Sequence, residues 1–113
     1  MVSQSQTPGG ITMTTKGYWI ALLDVTDPER YQAYGEATRP IVARHGGRFL
    51  VRGNRSETVS GAARSRIIVI EFPDYETALR CYHLPEYREA TQLREAASTG
   101  EFVIVEGWEE LLP

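Results

Sequence analysis

The sequence predicts one α+β domain with the element order βαββαβ. The chain has 113 residues, 42% of them apolar, which is enough for one hydrophobic core. Apolar runs typical of strands alternate with segments whose apolar residues recur every three or four positions, as in helices. Glycine or proline stands near most boundaries between these segments. We therefore expect a single domain over residues 16–113.

The first part of the chain is predicted to contain a tail, a strand and a helix. Residues 1–15 are rich in Ser, Gln, Thr, Gly and Pro and lack periodicity, which predicts a flexible N-terminal tail. Gly17–Val25 is predicted as the first strand. A helix capped by Asp27 follows and ends at Gly46–Gly47, where a left-handed residue stops it. Pro40 lies inside this helix and predicts a kink.

The middle of the chain is predicted to contain two strands. Arg48–Arg52 is the second strand, and Gly53–Asn54 indicates a bulge or bend after it. A weaker extended piece is predicted at Glu57–Val59. After a turn at Gly61–Arg64, the third strand is predicted over Arg66–Phe72.

The last part of the chain is predicted to form a broken helix and a strand. Asp74 caps a helix that breaks at His83–Pro85, where the proline restarts it. Gly100 is expected to end this helix, and Phe102–Glu106 is the last strand. This order of elements is that of a ferredoxin-like sandwich.

Both faces of the predicted sheet are apolar. Trp19 and Leu23 lie on one side of the first strand, Ile20 and Leu22 lie on the other, and Ile67–Ile70 is apolar on both sides. Two short helices cover only one face, so the second face needs another cover. A second copy of the chain about a two-fold axis provides it, and we predict a homodimer. The alternative is a large exposed patch, or cover by the ends of the chain.

Composition and charge argue against several functions. The net charge of −3 argues against a nucleic-acid partner, and the third strand lacks the stacked aromatic residues of an RNA-recognition fold. No apolar run reaches the ~20 residues of a membrane helix, and residues 1–10 do not resemble a signal peptide. We therefore expect a cytoplasmic protein without a membrane partner. Lys16, the only lysine, precedes the first strand, which argues against Schiff-base chemistry. Cys81, the only cysteine, is predicted to be a small buried residue, and no metal or tightly bound cofactor is predicted.

Two residues are predicted to be catalytic, His83 and Glu71. His83 lies at the helix break, where backbone polar groups are free, and an imidazole exchanges protons near neutral pH. Its alternative role is to bind a carbonyl group at that break. Glu71 lies within the apolar third strand, so its carboxylate must be paired or exposed at the strand end, and Arg52 or Arg55 is a candidate partner. Such a pair is structural, or it orients an anionic substrate or holds a catalytic acid.

Three further residues are predicted to bind a ligand. Tyr34 is one of several tyrosines at core spacing on helix faces, some of which are expected to line a pocket between helix and sheet. Arg52 and Arg94 are predicted to hold an anionic group, although the simplest role of Arg94 is that of a solvated arginine. We predict that a ligand site, if the protein has one, lies at the helix break over the sheet, with His83 as proton donor or acceptor.

Several motifs, taken in order, carry a resemblance to a known family. They are Gly17–Ile20, Tyr31-x-x-Tyr34, His45–Gly53, Ile70–Pro73 and Tyr82–Tyr87. Together they resemble the family called domain of unknown function 1330, and the likeness covers Lys16–Trp108. The resemblance implies a dimeric α+β barrel, similar in architecture to antibiotic-biosynthesis monooxygenases and muconolactone isomerases. It implies no particular reaction.

Two functions remain open from the sequence. The first is a small enzyme without a tightly bound cofactor, of the isomerase, monooxygenase or lyase type, that acts on a small aromatic or anionic metabolite. The second is a non-catalytic dimer that binds a small ligand or acts in a stress response, in which the same residues recognise the ligand or close the core.

Overall fold

The computed structural model describes residues 15–53 and 55–109. In this part of the chain four strands and three helices follow one another as β1 (Gly17–Val25), α1 (Pro28–Arg44), β2 (Arg48–Arg52), β3 (Arg66–Phe72), α2 (Tyr75–Tyr82), α3 (Pro85–Ala97) and β4 (Ser98–Glu106). The predicted α+β class is confirmed, with the second helical segment divided into α2 and α3. Most of the predicted tail, residues 1–14, lies outside the described residues.

The four strands form one antiparallel sheet in the order β2-β3-β1-β4, which is the ferredoxin-like arrangement. Trp19 of β1 lies opposite Ile70 of β3 and Ile104 of β4, and directly paired residues point to the same face. This set faces the helices, and we call that side the helix-side face. The opposite side, which contains Ile20 and Val103, is called the open face.

Helix α1 begins where the sequence predicts, because the Asp27 carboxylate accepts a hydrogen bond from the backbone N–H of Arg30. The helix is continuous through Pro40 to Arg44. Its buried residues recur at helical spacing and are Tyr34, Thr38, Ile41 and Val42. This stripe places α1 against the helix-side face.

The core is centred on Trp19, which is 1% exposed. Its indole N–H donates to the backbone carbonyl of Ala78 in α2 at 2.9 Å, so the buried polar atom is satisfied. The rings of Phe72, Tyr87 and Phe102 lie 4.7, 4.9 and 5.4 Å from it, centroid to centroid. Trp19 therefore joins the sheet to α2 and α3.

One predicted extended piece, the predicted end of the last helix and the predicted start of the last strand are wrong. Glu57–Val59 forms no strand, and Val59 is 87% exposed, so this extended piece has no neighbouring strand with which to pair. Gly100 does not end α3, because that helix stops at Ala97 and Gly100 lies inside β4. Its φ is +144°, and a Cβ atom there would lie 2.0 Å from the Leu22 carbonyl oxygen. Gly100 thus allows the close approach of two strands.

Candidate functional site

A cavity of about 110 Å³ lies between α1 and the helix-side face. Its walls are mainly apolar, with Trp19, Phe49 and Ile68 from the sheet, Tyr34 from α1 and Tyr87 from α3. We call it the α1–sheet cavity. An apolar cavity of about 150 Å³ accepts benzene, and this space is somewhat smaller but open at one end, so its size is comparable to that of one aromatic ring.

A β-bulge in β2 determines which side chains reach the cavity. Phe49 pairs with Ile70, but the next pair is Val51 with Val69, so Leu50 is an extra residue. Without the bulge, Phe49 and Arg52 would point to opposite faces. With it, both line the cavity. The sequence indicated a bulge or bend at residues 53–54; the register shift lies earlier, inside the strand, and Gly53 forms only the bend that follows.

Three arginines lie around the open end of the cavity, and we call them the mouth arginines: Arg39, Arg52 and Arg66. None of them forms an ion pair with a carboxylate of residues 15–53 or 55–109. The guanidinium carbon of Arg66 lies 5.1 Å from the Tyr31 ring centroid, and that of Arg52 lies 4.8 Å from the Phe49 ring centroid. The rings hold the two side chains by cation–π contact and leave their charges free to attract an anion.

Behind the cavity wall lies a fourth arginine, Arg94, which is 7% exposed. Its Nη1 donates to the hydroxyl oxygen of Tyr34 at 3.4 Å and its Nη2 to that of Tyr82 at 2.8 Å. The guanidinium carbon lies 4.6 Å from the Phe102 ring centroid. Phenols and aromatic rings, rather than a carboxylate, surround this charge within the described chain. The alternative role considered for Arg94 in the sequence, a solvated or snorkelling arginine, is therefore wrong, and its predicted role in ligand binding stays a prediction.

Tyr34 and Tyr87 share a buried hydrogen bond between their hydroxyl groups. Burial raises the pKa of both phenols above the ordinary tyrosine value, although the charge of Arg94 acts in the opposite direction. Both phenols are therefore neutral at physiological pH and act as hydrogen-bond donors and acceptors rather than as bases.

His83 lies away from the α1–sheet cavity. It is the exposed C-terminal cap of α2, and it borders a shallow polar groove shared with Arg88 and Glu95 of α3. The helix break therefore exists as the sequence predicts, but the apolar cavity lies under α1. A catalytic role for His83 stays a prediction that belongs to this separate groove.

Glu71 lies on the open face of the sheet. Its carboxylate accepts hydrogen bonds from Arg48 Nε and from the Tyr18 hydroxyl, each at 3.0 Å. Arg48, followed by Tyr18, holds the pKa of this carboxyl below its ordinary value. Neither Arg52 nor Arg55 is the partner: Arg48 and Tyr18 are the residues directly opposite Glu71 on the neighbouring strands.

The structure thus separates the five predicted site residues. Tyr34 and Arg52 line the cavity and Arg94 bonds to Tyr34, whereas His83 and Glu71 lie elsewhere. Sequence reasoning missed two cavity residues, Arg39 and Arg66. The signal for Arg66 is its position two residues before Ile68 on β3, which gives it the same face. Arg39 lies four residues after Gly35, another α1 residue at the mouth, on the same helix face.

Other chemical groups have more limited roles. Cys81 is fully buried, and burial raises the pKa of its thiol to about 11, so it is unreactive. Among residues 15–53 and 55–109 there is no cluster of three or more potential metal ligands. In the same part of the chain, no helix has the length and hydropathy needed to span a membrane.

The fold and the cavity define an α+β protein of ferredoxin-like architecture with a ligand-sized space between its first helix and its sheet. The chain belongs to the family described as domain of unknown function (DUF1330), whose model matches residues 16–108, so the resemblance inferred from the motifs is confirmed. Comparison with the curated proteins gives no match.

Several solved structures are similar to this one. A protein of unknown function from Rhodopseudomonas palustris, RPA0582, has a TM-score of 0.71 at 20% identity, with coverage of 87% of this chain and 86% of that one. SnoaB, a cofactor-independent oxygenase from Streptomyces nogalater, has a TM-score of 0.61 at 16% identity, covering 87% and 98%. A dimeric ferredoxin-like protein of unknown function from Thermobifida fusca has a TM-score of 0.54 at 13% identity, covering 86% and 93%. These similarities establish the fold.

Proposed function

We propose that the α1–sheet cavity binds a small aromatic anion and that the protein is an enzyme that acts on this molecule without a tightly bound cofactor. The observation that carries the proposal is the combination of an apolar, ring-sized cavity with mouth arginines that have no carboxylate partner in the described residues. An apolar interior with a few convergent polar groups is typical of small-molecule sites.

Charge explains why the ligand is an anion. The chain as a whole carries a net charge of −3, yet the charged side chains that line the cavity and its mouth, Arg39, Arg52 and Arg66, are all positive. An arginine fork matches a carboxylate in a two-bond geometry. The ring of an aromatic acid would therefore enter the cavity while its carboxylate stays at the mouth.

The enzymatic part of the proposal has support from the site and from the fold. Tyr34 and Tyr87 present phenols at the cavity wall, and Arg94 places a positive charge behind them. Such groups stabilise negative charge that develops on a reacting molecule. SnoaB, a cofactor-independent oxygenase, has the same fold, although fold alone does not carry an activity.

Non-catalytic binding is the second candidate, because a specific observation favours it. The described lining of the cavity includes neither a histidine nor a carboxylate, which are the usual general bases. A binder and an enzyme share the same ligand, so one experiment separates them.

The test is a thermal-shift titration with benzoate and phenylacetate, and with the neutral benzyl alcohol as the matched control ligand. A ligand at a hundred times its dissociation constant adds about 2.7 kcal/mol of stability, so the acids should raise Tm and the alcohol should not. The variants Arg52→Gln and Arg66→Gln should weaken acid binding about tenfold, the cost of losing one charge-assisted hydrogen bond.

The matched control variant is Arg88→Gln, an exposed arginine of α3 outside the cavity, which should leave acid binding unchanged. Equal weakening in all three variants, or no binding at all, would refute the cavity proposal. Each acid that binds is then incubated with the protein in air and analysed by mass spectrometry. A converted product supports the enzyme; a bound acid recovered unchanged supports the binder.

We further propose that the protein is a homodimer joined through the open faces of two sheets, as in a dimeric α+β barrel. Leu50 and Val51 of β2 and Val103 and Val105 of β4 are 40–50% exposed in the single chain, and Ile20, Leu22 and Val69 lie between them in the sheet. An apolar patch of this extent is rare on a monomer. A cytoplasmic location stays a prediction from the sequence.

A further inference from the structure

The buried cluster of Tyr34, Tyr87 and Arg94 has more hydrogen-bond donors than acceptors, because two phenol O–H groups and an arginine N–H share two phenol oxygens. The hydroxyl groups of Tyr34 and Tyr87 bond to each other, and Arg94 donates a further bond to the Tyr34 oxygen. Each phenol carries one proton, and only one of the two protons can lie between the oxygens. The other has no acceptor among the described residues, and a buried donor without an acceptor is costly.

Whichever phenol holds the unused proton, that phenol belongs to a residue of the cavity wall. If Tyr87 donates to Tyr34, the Tyr34 proton is free; if Tyr34 donates to Tyr87, the Tyr87 proton is free. Both residues line the α1–sheet cavity. In either arrangement, the unused O–H group belongs to a side chain that lines the cavity.

Arg94 makes this donor stronger than an ordinary phenol. Arg94 is 7% exposed and its guanidinium faces aromatic rings and phenol oxygens, so its charge is weakly screened by water. A positive charge that donates to the oxygen of Tyr34 polarises the phenol and favours negative charge on an acceptor of its proton.

We infer that Tyr34 and Tyr87, supported by Arg94, form a donor site for a second oxygen atom of the ligand, so that the ligand class is an aromatic acid carrying a hydroxyl or carbonyl group. This inference rests on the proposed function. The mouth arginines hold the carboxylate, and the phenol pair donates a hydrogen bond to the second oxygen inside the cavity. Benzoate satisfies only the first of these requirements, whereas a hydroxybenzoate satisfies both.

The experiment compares the affinity of benzoate with those of 3-hydroxybenzoate and 4-hydroxybenzoate, and the better hydroxybenzoate is then used with every variant. Binding is followed by the fluorescence of Trp19, which lines the cavity, in a Trp108→Phe background. Trp108, the second of the two tryptophans, is 87% exposed, so its replacement leaves Trp19 as the only reporter. We expect a preference of about tenfold for the hydroxybenzoate, the fold-change of one charge-assisted hydrogen bond.

The double variant Tyr34→Phe/Tyr87→Phe removes both phenol donors and should reduce this preference to about onefold while benzoate still binds. Arg94→Met keeps an unbranched, flexible side chain and removes the charge and its hydrogen-bond donors, and should reduce the preference severalfold. Tyr82→Phe is the matched control, because Tyr82 also accepts a bond from Arg94 but does not line the cavity. The preference should survive in that variant.

The preference is a ratio measured within each variant, so a general loss of packing that weakens both ligands equally does not change it. A wild-type protein that binds benzoate without preferring either hydroxybenzoate would overturn the donor site and leave the proposed function standing. A preference that persists in the double variant would do the same. If neither acid binds, both proposals are wrong.

Discussion

The two faces of the sheet differ in how their buried charges are paired. On the open face, the carboxylate of Glu71 has two hydrogen-bond donors, Arg48 and Tyr18. On the helix-side face, Arg94 is more deeply buried than Glu71 and has only neutral partners. The charge of Glu71 is paired, so its presence is explained by its role in the fold. A buried charge without a counter-ion costs stability, so the helix-side face is where a function needs to be sought.

The two faces also have different proposed roles, ligand binding for the helix-side face and dimer formation for the open face. The helix-side face is closed by its own helices except at the α1–sheet cavity, whereas the open face has no cover within the described chain. If our proposals are correct, the first face serves a ligand and the second serves another copy of the protein. Substitutions on the two faces should therefore have effects of different kinds.

The largest expected effect is on assembly. Val103→Glu places a charge at the middle of β4 on the open face, where Val103 is 50% exposed in the single chain. The chain should still fold. Burial of an unpaired charge in the dimer interface costs about 3 kcal/mol or more, which should raise the dissociation constant of the dimer more than a hundredfold. Sedimentation equilibrium measures this change. The control is Val59→Glu, a loop position that is 87% exposed, which should remain dimeric. A wild-type monomer at micromolar concentration would refute the dimer altogether.

The next effect contrasts two isoleucines on opposite faces. Ile70→Ala removes a side chain that is 6% exposed on the helix-side face and should cost about 2–5 kcal/mol of unfolding free energy. Ile20→Ala, on the open face of β1, should instead lower the Tm relative to wild type most at high protein concentration, where the wild-type protein is dimeric, because it weakens the dimer. Thermal unfolding at several concentrations distinguishes the two variants. Equal, concentration-independent losses would contradict the division of tasks.

How well the sequence predicts an element depends on whether the residues that determine it are close together in the chain. Caps are local signals, so Asp27 and Asp74 fix the starts of α1 and α2, where both carboxylates accept a backbone N–H bond. The sequence places Gly100 at a helix end, because only the adjacent strand, through the Leu22 carbonyl, shows why a glycine is required. That contact is not local, and sequence periodicity does not contain it.

The candidate site follows the same rule. The sequence predicts Tyr34 and Arg52 as ligand-binding residues, and both line the α1–sheet cavity. The orientation of Arg52 depends on the bulge at Leu50, which no residue type in β2 indicates. The sequence favours His83 because histidine is a common proton donor and acceptor, which is a property of the residue type rather than of its surroundings. The partners of Glu71 depend on strand register, which a list of nearby arginines does not supply.

The smallest expected effect concerns acid stability and tests the open face again. The folded protein holds the pKa of Glu71 below its ordinary value, chiefly through Arg48 and then through Tyr18. Folding therefore favours the ionised carboxylate. Its contribution to stability is complete above the ordinary glutamate pKa and is lost as the pH falls through the lowered value. Glu71→Gln should make the protein less stable at neutral pH and flatten the acid side of its stability profile.

Asp24 and Asp74, whose pKa values are also lowered by hydrogen bonds from Ser65 and Thr77 respectively, contribute to the same acid limb, so the flattening should be partial. Urea unfolding at a series of pH values measures it, and Glu76→Gln, an exposed position on α2, is the control that should keep the wild-type slope. If the open face is the dimer interface, the Glu71 cluster is shielded further from water in the dimer. The slope lost in Glu71→Gln should then be larger at high protein concentration than at low. A loss that does not depend on concentration, over a range in which the dimer dissociates, would place Glu71 outside the interface.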